Sequence, residues 1–210
     1  PSRHVLGGVI LAGGAGDLAW QVGTYVSHSP PHGIDLASAG LIGHGVALAL
    51  FFTRSGTFPV YAALCVVVLI AGLVWRSWLL AAVTSVLALI AAWRVSDVFK
   101  DIFARPRMAH WVGIHEPSYS YPSGHATLSL TFYGLWLYFI ARSSLPIAVR
   151  RSLIGLMIFW IIAIGWSRLA LGAHYPSDLI GGYFLGIGFI SLALTVYTWI
   201  RNLQAGRVRA

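Results

Sequence analysis

The sequence predicts an all-α, integral-membrane six-helix bundle, and three observations predict it. Of 210 residues, 58% are hydrophobic and 10% charged, more apolar and less charged than a soluble domain of this length. Six apolar runs approach the ~20 residues that a helix needs to cross hydrocarbon. Nine Trp, nine Tyr and ten Phe suit a chain whose amphipathic rings gather where hydrocarbon meets water.

The runs are Leu36 to Phe52, Phe58 to Trp75, Trp78 to Phe99, Ala126 to Ala141, Leu153 to Arg168 and Leu179 to Ile200. Residues 36–210 are thereby read as one six-span membrane domain. Residues 1–35 precede it as an interfacial or re-entrant segment, because Val5 to Val26 is apolar yet carries six glycines and Asp17. A seventh span is the alternative. A cleaved signal is disfavoured by the lack of a charged start followed by a clean apolar core.

Assigning the connections alternately to two sides places Arg3, Arg76, Arg142, Arg150, Arg151, Arg201, Arg207 and Arg209 on one side. Basic residues accumulate on the cytoplasmic side of membrane proteins, so both termini are expected there. The connection from Lys100 to Gly124 and the turn around His174 then share the outer face. A bacterial inner membrane with this face toward the periplasm is the expected location. The formal charge of +8 does not indicate nucleic acid, since the basic residues sit at the ends of apolar segments or within motifs. Cys65, the single cysteine, reads as a packing residue and permits no intrachain disulfide.

Ionisable groups at membrane depth are costly and usually functional, and three clusters of them fall on the outer face. They are Lys100-Asp-Ile-Phe-Ala-Arg105-Pro-Arg107, Tyr121-Pro-Ser123-Gly124-His125-Ala, and Ser167-Arg168 followed by His174 and Asp178. Four cations (Lys100, Arg105, Arg107, Arg168), two histidines and a carboxylate are an inventory for binding and attacking a phosphoryl group. Arginine offers a planar fork to phosphate oxygens and lysine a point charge. Ser123 and Gly124 precede the fourth run, so their amides belong to a helix N-terminus that favours an anion. Asp178 follows His174 by four residues and can orient its ring, which makes the other nitrogen a nucleophile. His125 remains to protonate the leaving oxygen. With no His-Glu-x-x-His, no paired carboxylates and no Walker-type loop, neither a catalytic metal nor a cofactor is expected.

In order and spacing the clusters resemble the signature of the type 2 phosphatidic acid phosphatase family. That signature is Lys, six residues, Arg-Pro; then Pro-Ser-Gly-His; then Ser-Arg, five residues, His, three residues, Asp. The second and third occur unchanged at Pro122 to His125 and Ser167 to Asp178; the first fits Lys100 and Arg107, with Met108 in place of the proline. The resemblance implies a lipid phosphate phosphatase with His174 as the nucleophile of a phosphohistidine intermediate, Asp178 orienting it and His125 as general acid. Lys100, Arg107, Ser123, Gly124 and Arg168 would bind the phosphoryl oxygens, and Arg105 becomes a secondary substrate contact. The partners implied are a lipid phosphate, such as phosphatidic acid, phosphatidylglycerophosphate or a polyprenyl pyrophosphate, and the bilayer. A phosphotransferase using the same phosphohistidine, or a non-catalytic lipid-binding protein, are the competing readings.

Plainer readings apply elsewhere. His4 and His44 are read as packing residues, Arg94 and Asp97 as an intramembrane ion pair, and His115 and Glu116 as a solvated loop. Tyr119 and Tyr121 are read as interfacial aromatics.

Overall fold

The computed structural model describes residues 3–31, 33–109, 112 and 117–208, and among these every regular element is helical. The helices are α1 (Arg3–His28), α2 (Ile34–Ala37), α3 (Val46–Ser55), α4 (Phe58–Val74), α5 (Leu79–Phe103), α6 (Gly124–Ala141), α7 (Ile147–Ala170) and α8 (Pro176–Val208). Short 3₁₀ turns at Ser38–Leu41 and Arg76–Trp78 precede α3 and α5. His115 and Glu116, read above as a loop, lie outside the described residues.

Four helices are long and apolar enough to cross a membrane: Val5–His28, Arg76–Phe103, Ile147–Ala170 and Pro176–Ala205, or up to five spans if one bent pair counts. Their outer surfaces are apolar, with Ile10, Leu87, Ile162 and Trp199 all more than half exposed. In water such faces would be expelled; in lipid they are the solvated surface. The chain is an integral membrane protein.

The first apolar run departs from expectation. Leu36 to Phe52 does not cross as one helix but is bent by 116° between Ile34–Leu41 and Val46–Ser55. The Gly43-His44-Gly45 tripeptide makes the break, because both glycines take the left-handed region at φ 86° and 64°, where a Cβ is costly. Residues 3–28 form instead one continuous helix. Its glycines are tolerated because the helix is seated along α8, with Ala15, Ala19 and Val26 buried on one face. Tertiary packing outweighs helix propensity there.

The run at Phe58–Val74 has 17 residues, at the short end of what spans. α6 has 18 residues and no Asp, Glu, Lys or Arg, yet is not apolar enough to count as a span by composition. It carries Thr127, Ser129 and Thr131, all fully buried, and packs between α5, α7 and α8. Each of those hydroxyls donates to a backbone carbonyl three or four residues earlier, so a protein-lined helix can carry them without orphaned polar groups.

Small residues let α8 approach its neighbours. A Cβ on Gly182 would lie 2.7 Å from the Ser123 carbonyl oxygen and 3.1 Å from Ala126 Cβ, a backbone contact that cannot relax by a rotamer change. Gly182→Ala is therefore expected to push α8 off the start of α6, costing about 1–3 kcal/mol and lowering activity through the displaced Ser123. Thermal unfolding in detergent beside an activity assay measures both.

Candidate active site

The C-terminal ends of α5 and α7, the N-terminal ends of α6 and α8, and the α2–α3 segment converge at one end of the bundle. This end holds all nine residues singled out from sequence. Ser123 caps α6: its Oγ accepts from the Ala126 N–H at 3.4 Å, and its own N–H donates to the Asp178 carbonyl at 3.0 Å. The second and third clusters are thereby tied together through backbone. Tyr121, expected at the interface, is instead fully buried, packed on Phe103 and Val26, with its hydroxyl donating to the Ala19 carbonyl. Burial pushes its phenol pKa up, and it remains a neutral donor.

His174 lies just before α8, 1% exposed, in the turn allowed by Gly172 at φ 65°. Its two ring nitrogens face different partners. Nδ1 is 3.4 Å from Ser120 Oγ and 3.5 Å from Asp178 Oδ2; Nε2 is 3.2 Å from Arg107 Nη1. A guanidinium only donates, so Nε2 is the lone-pair nitrogen and Nδ1 carries the proton. The direct contact to Asp178 is long for a hydrogen bond. Ser120 shortens the connection, because its hydroxyl donates to Asp178 Oδ2 at 2.5 Å while lying beside Nδ1.

Asp178 is fully buried in the first turn of α8, where the helix dipole favours a carboxylate. Besides Ser120, Oδ2 accepts from the Tyr175 N–H at 2.9 Å, and Oδ1 accepts from Arg105 Nη1 at 2.5 Å.

Arg105 has a different place from the substrate contact expected of it. Its guanidinium is buried and divided between the two carboxylates: Nη1 serves Asp178 and Ser177 Oγ (2.8 Å), and Nη2 donates to Asp35 Oδ2 at 2.7 Å. It also stacks 4.1 Å above the Tyr175 ring. Burial alone would lower its pKa, but Asp178 and Asp35 outweigh burial and raise it. A guanidinium so occupied faces the protein and not a ligand.

Arg107 is the cation beside His174. It donates to the Ser118 carbonyl at 2.8 Å, Ser118 Oγ at 3.0 Å and the Ala173 carbonyl at 2.9 Å, which holds its fork in register with His174. Arg168 is buried and donates to Thr53 Oγ1 at 2.6 Å. His125, in the first turn of α6, has Nε2 3.2 Å from the Thr53 carbonyl, and Arg168, His174 and Lys100 are near enough to act on it electrostatically. Lys100 pairs with Asp97 at 3.6 Å, so Asp97 is not the partner of Arg94, which lies over Trp93. A Cβ on Gly124 would meet Lys100 Nζ at 3.6 Å, placing the ammonium over the α6 N-terminus. The two histidines, Arg107, Arg168, Lys100 and the α6 amides thus surround a common space.

Sequence reasoning missed five polar partners: Asp35, Thr53, Ser118, Ser120 and Ser177. Asp35 is the most connected, since it also accepts from the Ser177 N–H at 3.1 Å and from Ser177 Oγ at 2.8 Å. The available signal was its rarity, one of six acidic residues in the chain, heading an apolar run.

The chain matches the PAP2 superfamily over residues 77–202, more than half its length, including all three clusters. It is 33% identical over 95 residues to phosphatidylglycerophosphatase B of Bacillus subtilis, 44% of this chain and 46% of that one. It is 28% identical over 130 residues to the undecaprenyl-diphosphatase of Sulfolobus acidocaldarius, 58% and 59% of the two chains. The match thus spans about half the length of these curated relatives. In fold it is similar to the crystal structure of a transmembrane PAP2-type phosphatidylglycerolphosphate phosphatase from Bacillus subtilis, with TM-score 0.75 and 20% identity, over 87% of this chain and 94% of that one. Family match, motif spacing and fold agree, and the chain belongs to the PAP2 superfamily.

Proposed function

We propose that this chain is a lipid phosphate phosphatase that acts through a phosphohistidine on His174. The observation that carries the reading is the polarised imidazole, with Nδ1 held by Ser120 and Asp178 and Nε2 beside Arg107. The arriving phosphoryl group takes the Arg107 fork, which uncovers the Nε2 lone pair. Nε2 attacks phosphorus, the bond to the lipid oxygen breaks, and His125 supplies the proton to the departing oxygen. Because Nε2 of His125 faces the Thr53 carbonyl, Nδ1 is the position for that proton. Water then attacks phosphorus while His125 takes its proton, and the phosphorus–nitrogen bond breaks, releasing inorganic phosphate and restoring both His174 and His125. Arg107, Arg168, Lys100 and the α6 amides stabilise the charge on the equatorial oxygens, and Arg105 acts by holding Asp178.

The substrate is an amphiphile whose tail stays in lipid while its phosphate enters the bundle end, with phosphatidylglycerophosphate and polyprenyl pyrophosphates the leading candidates. We read α1 and α4 to α8 as six crossings, with the bent α2–α3 segment at the site face. By the arginine distribution this face is periplasmic in a bacterial inner membrane, and the opposite end cytoplasmic.

The test is phosphate release by detergent-purified protein against phosphatidylglycerophosphate, phosphatidic acid and polyprenyl pyrophosphate. Release from at least one, unchanged by excess chelator, is expected, since the chemistry assigned to the site needs no Lewis acid. Loss of activity on chelation, restored by a divalent ion, would overturn the metal-independent step. Failure on all three would overturn the hydrolase reading.

A further inference from the structure

The end of the bundle away from His174 carries a second concave site that the proposed reaction does not use. A recess of about 910 Å³ opens between the start of α5, the end of α6 and the end of α8. Three arginines from separate elements rim it: Arg76 ahead of α5, Arg142 after α6 and Arg201 in α8. Its wall is aromatic, with Trp78, Tyr138 and Tyr197. Arg142 lies 4.7 Å above the Tyr138 ring and Arg201 5.9 Å above Tyr197, contacts that restrict where each fork points.

No anion among the described residues answers these charges. Among the described residues none of the three arginines has an ion-pair partner. Of the described acidic residues, Asp35, Asp97, Asp101 and Asp178 belong to the site end, and Asp17 lies midway along α1. Three uncompensated forks around one recess call for an external anion with several acceptor oxygens, and phosphate has that geometry.

We propose that this recess binds the phosphate-bearing headgroup of an anionic lipid in the leaflet opposite the catalytic site. A lipid is favoured over a soluble phosphate because the recess runs into bilayer-facing surface. Leu80 and Val83 line it, and Leu87, one turn further along α5, is 61% exposed. A headgroup among the arginines would leave its tail along this stripe. Arginines that only set topology need share no recess; Arg150 and Arg151 stand at the same end and do not line it.

The test uses delipidated, detergent-purified protein carrying His174→Ala, so that turnover is absent, titrated with phosphatidylglycerol, phosphatidylcholine or glycerol phosphate and read by native mass spectrometry. Phosphatidylglycerol is expected to be retained in preference to phosphatidylcholine. R142Q/R201Q is expected to weaken that retention by about tenfold or more, while R94Q/R151Q, with the same change in net charge, retains it. Melting temperatures matching the parent confirm that both variants are folded. Equal retention by the two variants, or equal binding of the two lipids, would overturn the proposal. Glycerol phosphate binding that depends on Arg142 and Arg201 as strongly as lipid binding does would overturn the choice of a lipid.

Discussion

Replacing His174 by alanine is expected to lower phosphate release by at least about 10⁴-fold without unfolding the protein. The size follows from the role: the variant has no Nε2 lone pair to attack phosphorus. Stability should hold because the neighbours keep other partners. Arg107 retains Ser118 and the Ala173 carbonyl, and Asp178 retains Arg105, Ser120 and the Tyr175 N–H. Initial rates and thermal melting on the same preparation measure both parts. Activity within tenfold of the parent, a change of about 1.4 kcal/mol or less in ΔG‡, would remove His174 as nucleophile.

Arg105→Met is expected to have the largest effect on stability. The substitution leaves Asp35 and Asp178, both buried, facing each other without the cation between them. Breaking a buried pair by removing one partner costs about 3–5 kcal/mol, and here two carboxylates lose the same partner. Activity should fall too, because Asp178 then no longer holds its place beside His174 and Ser120, and small misplacements of a reacting group cost about 10²-fold. Asp35→Asn keeps the Arg105–Asp178 contact and should cost less, about 1–3 kcal/mol. The double variant R105M/D35N removes one of the stranded charges and should recover part of the loss. Thermal unfolding of the three variants tests this coupling; strictly additive losses would show that Asp35 does not act through Arg105.

The grouping of the candidate site's residues at one end of the bundle was largely legible because those residues are closely spaced. Ser123 to His125 and Arg168 to Asp178 are each bounded by a helix end that composition already marks, so placing the helix ends places the side chains. Arg105 shows the limit. Sequence counts a cation but not its partners, and those partners lie 70 and 73 residues away. Asp35 and Thr53 were invisible for the same reason. Both belong to the bent α2–α3 segment, outside the region that matches the family, and only the tertiary fold brings that segment over His125 and Arg105. Apolar periodicity also hid the bend, since Leu36 to Phe52 is hydrophobic enough to cross and only Gly43 and Gly45 show that it turns. In the reverse sense, the glycines of α1 looked disruptive but are stable against α8.

If phosphorus passes through His174 before it reaches water, the stereochemical course at phosphorus records both displacements. A lipid phosphorothioate monoester made chiral with oxygen isotopes, turned over in water carrying the third isotope, should yield inorganic thiophosphate with net retention, because two in-line displacements each invert the centre. Net inversion would mean that water attacks the substrate directly, which would contradict a phosphohistidine and leave His174 as at most a base or a binding group.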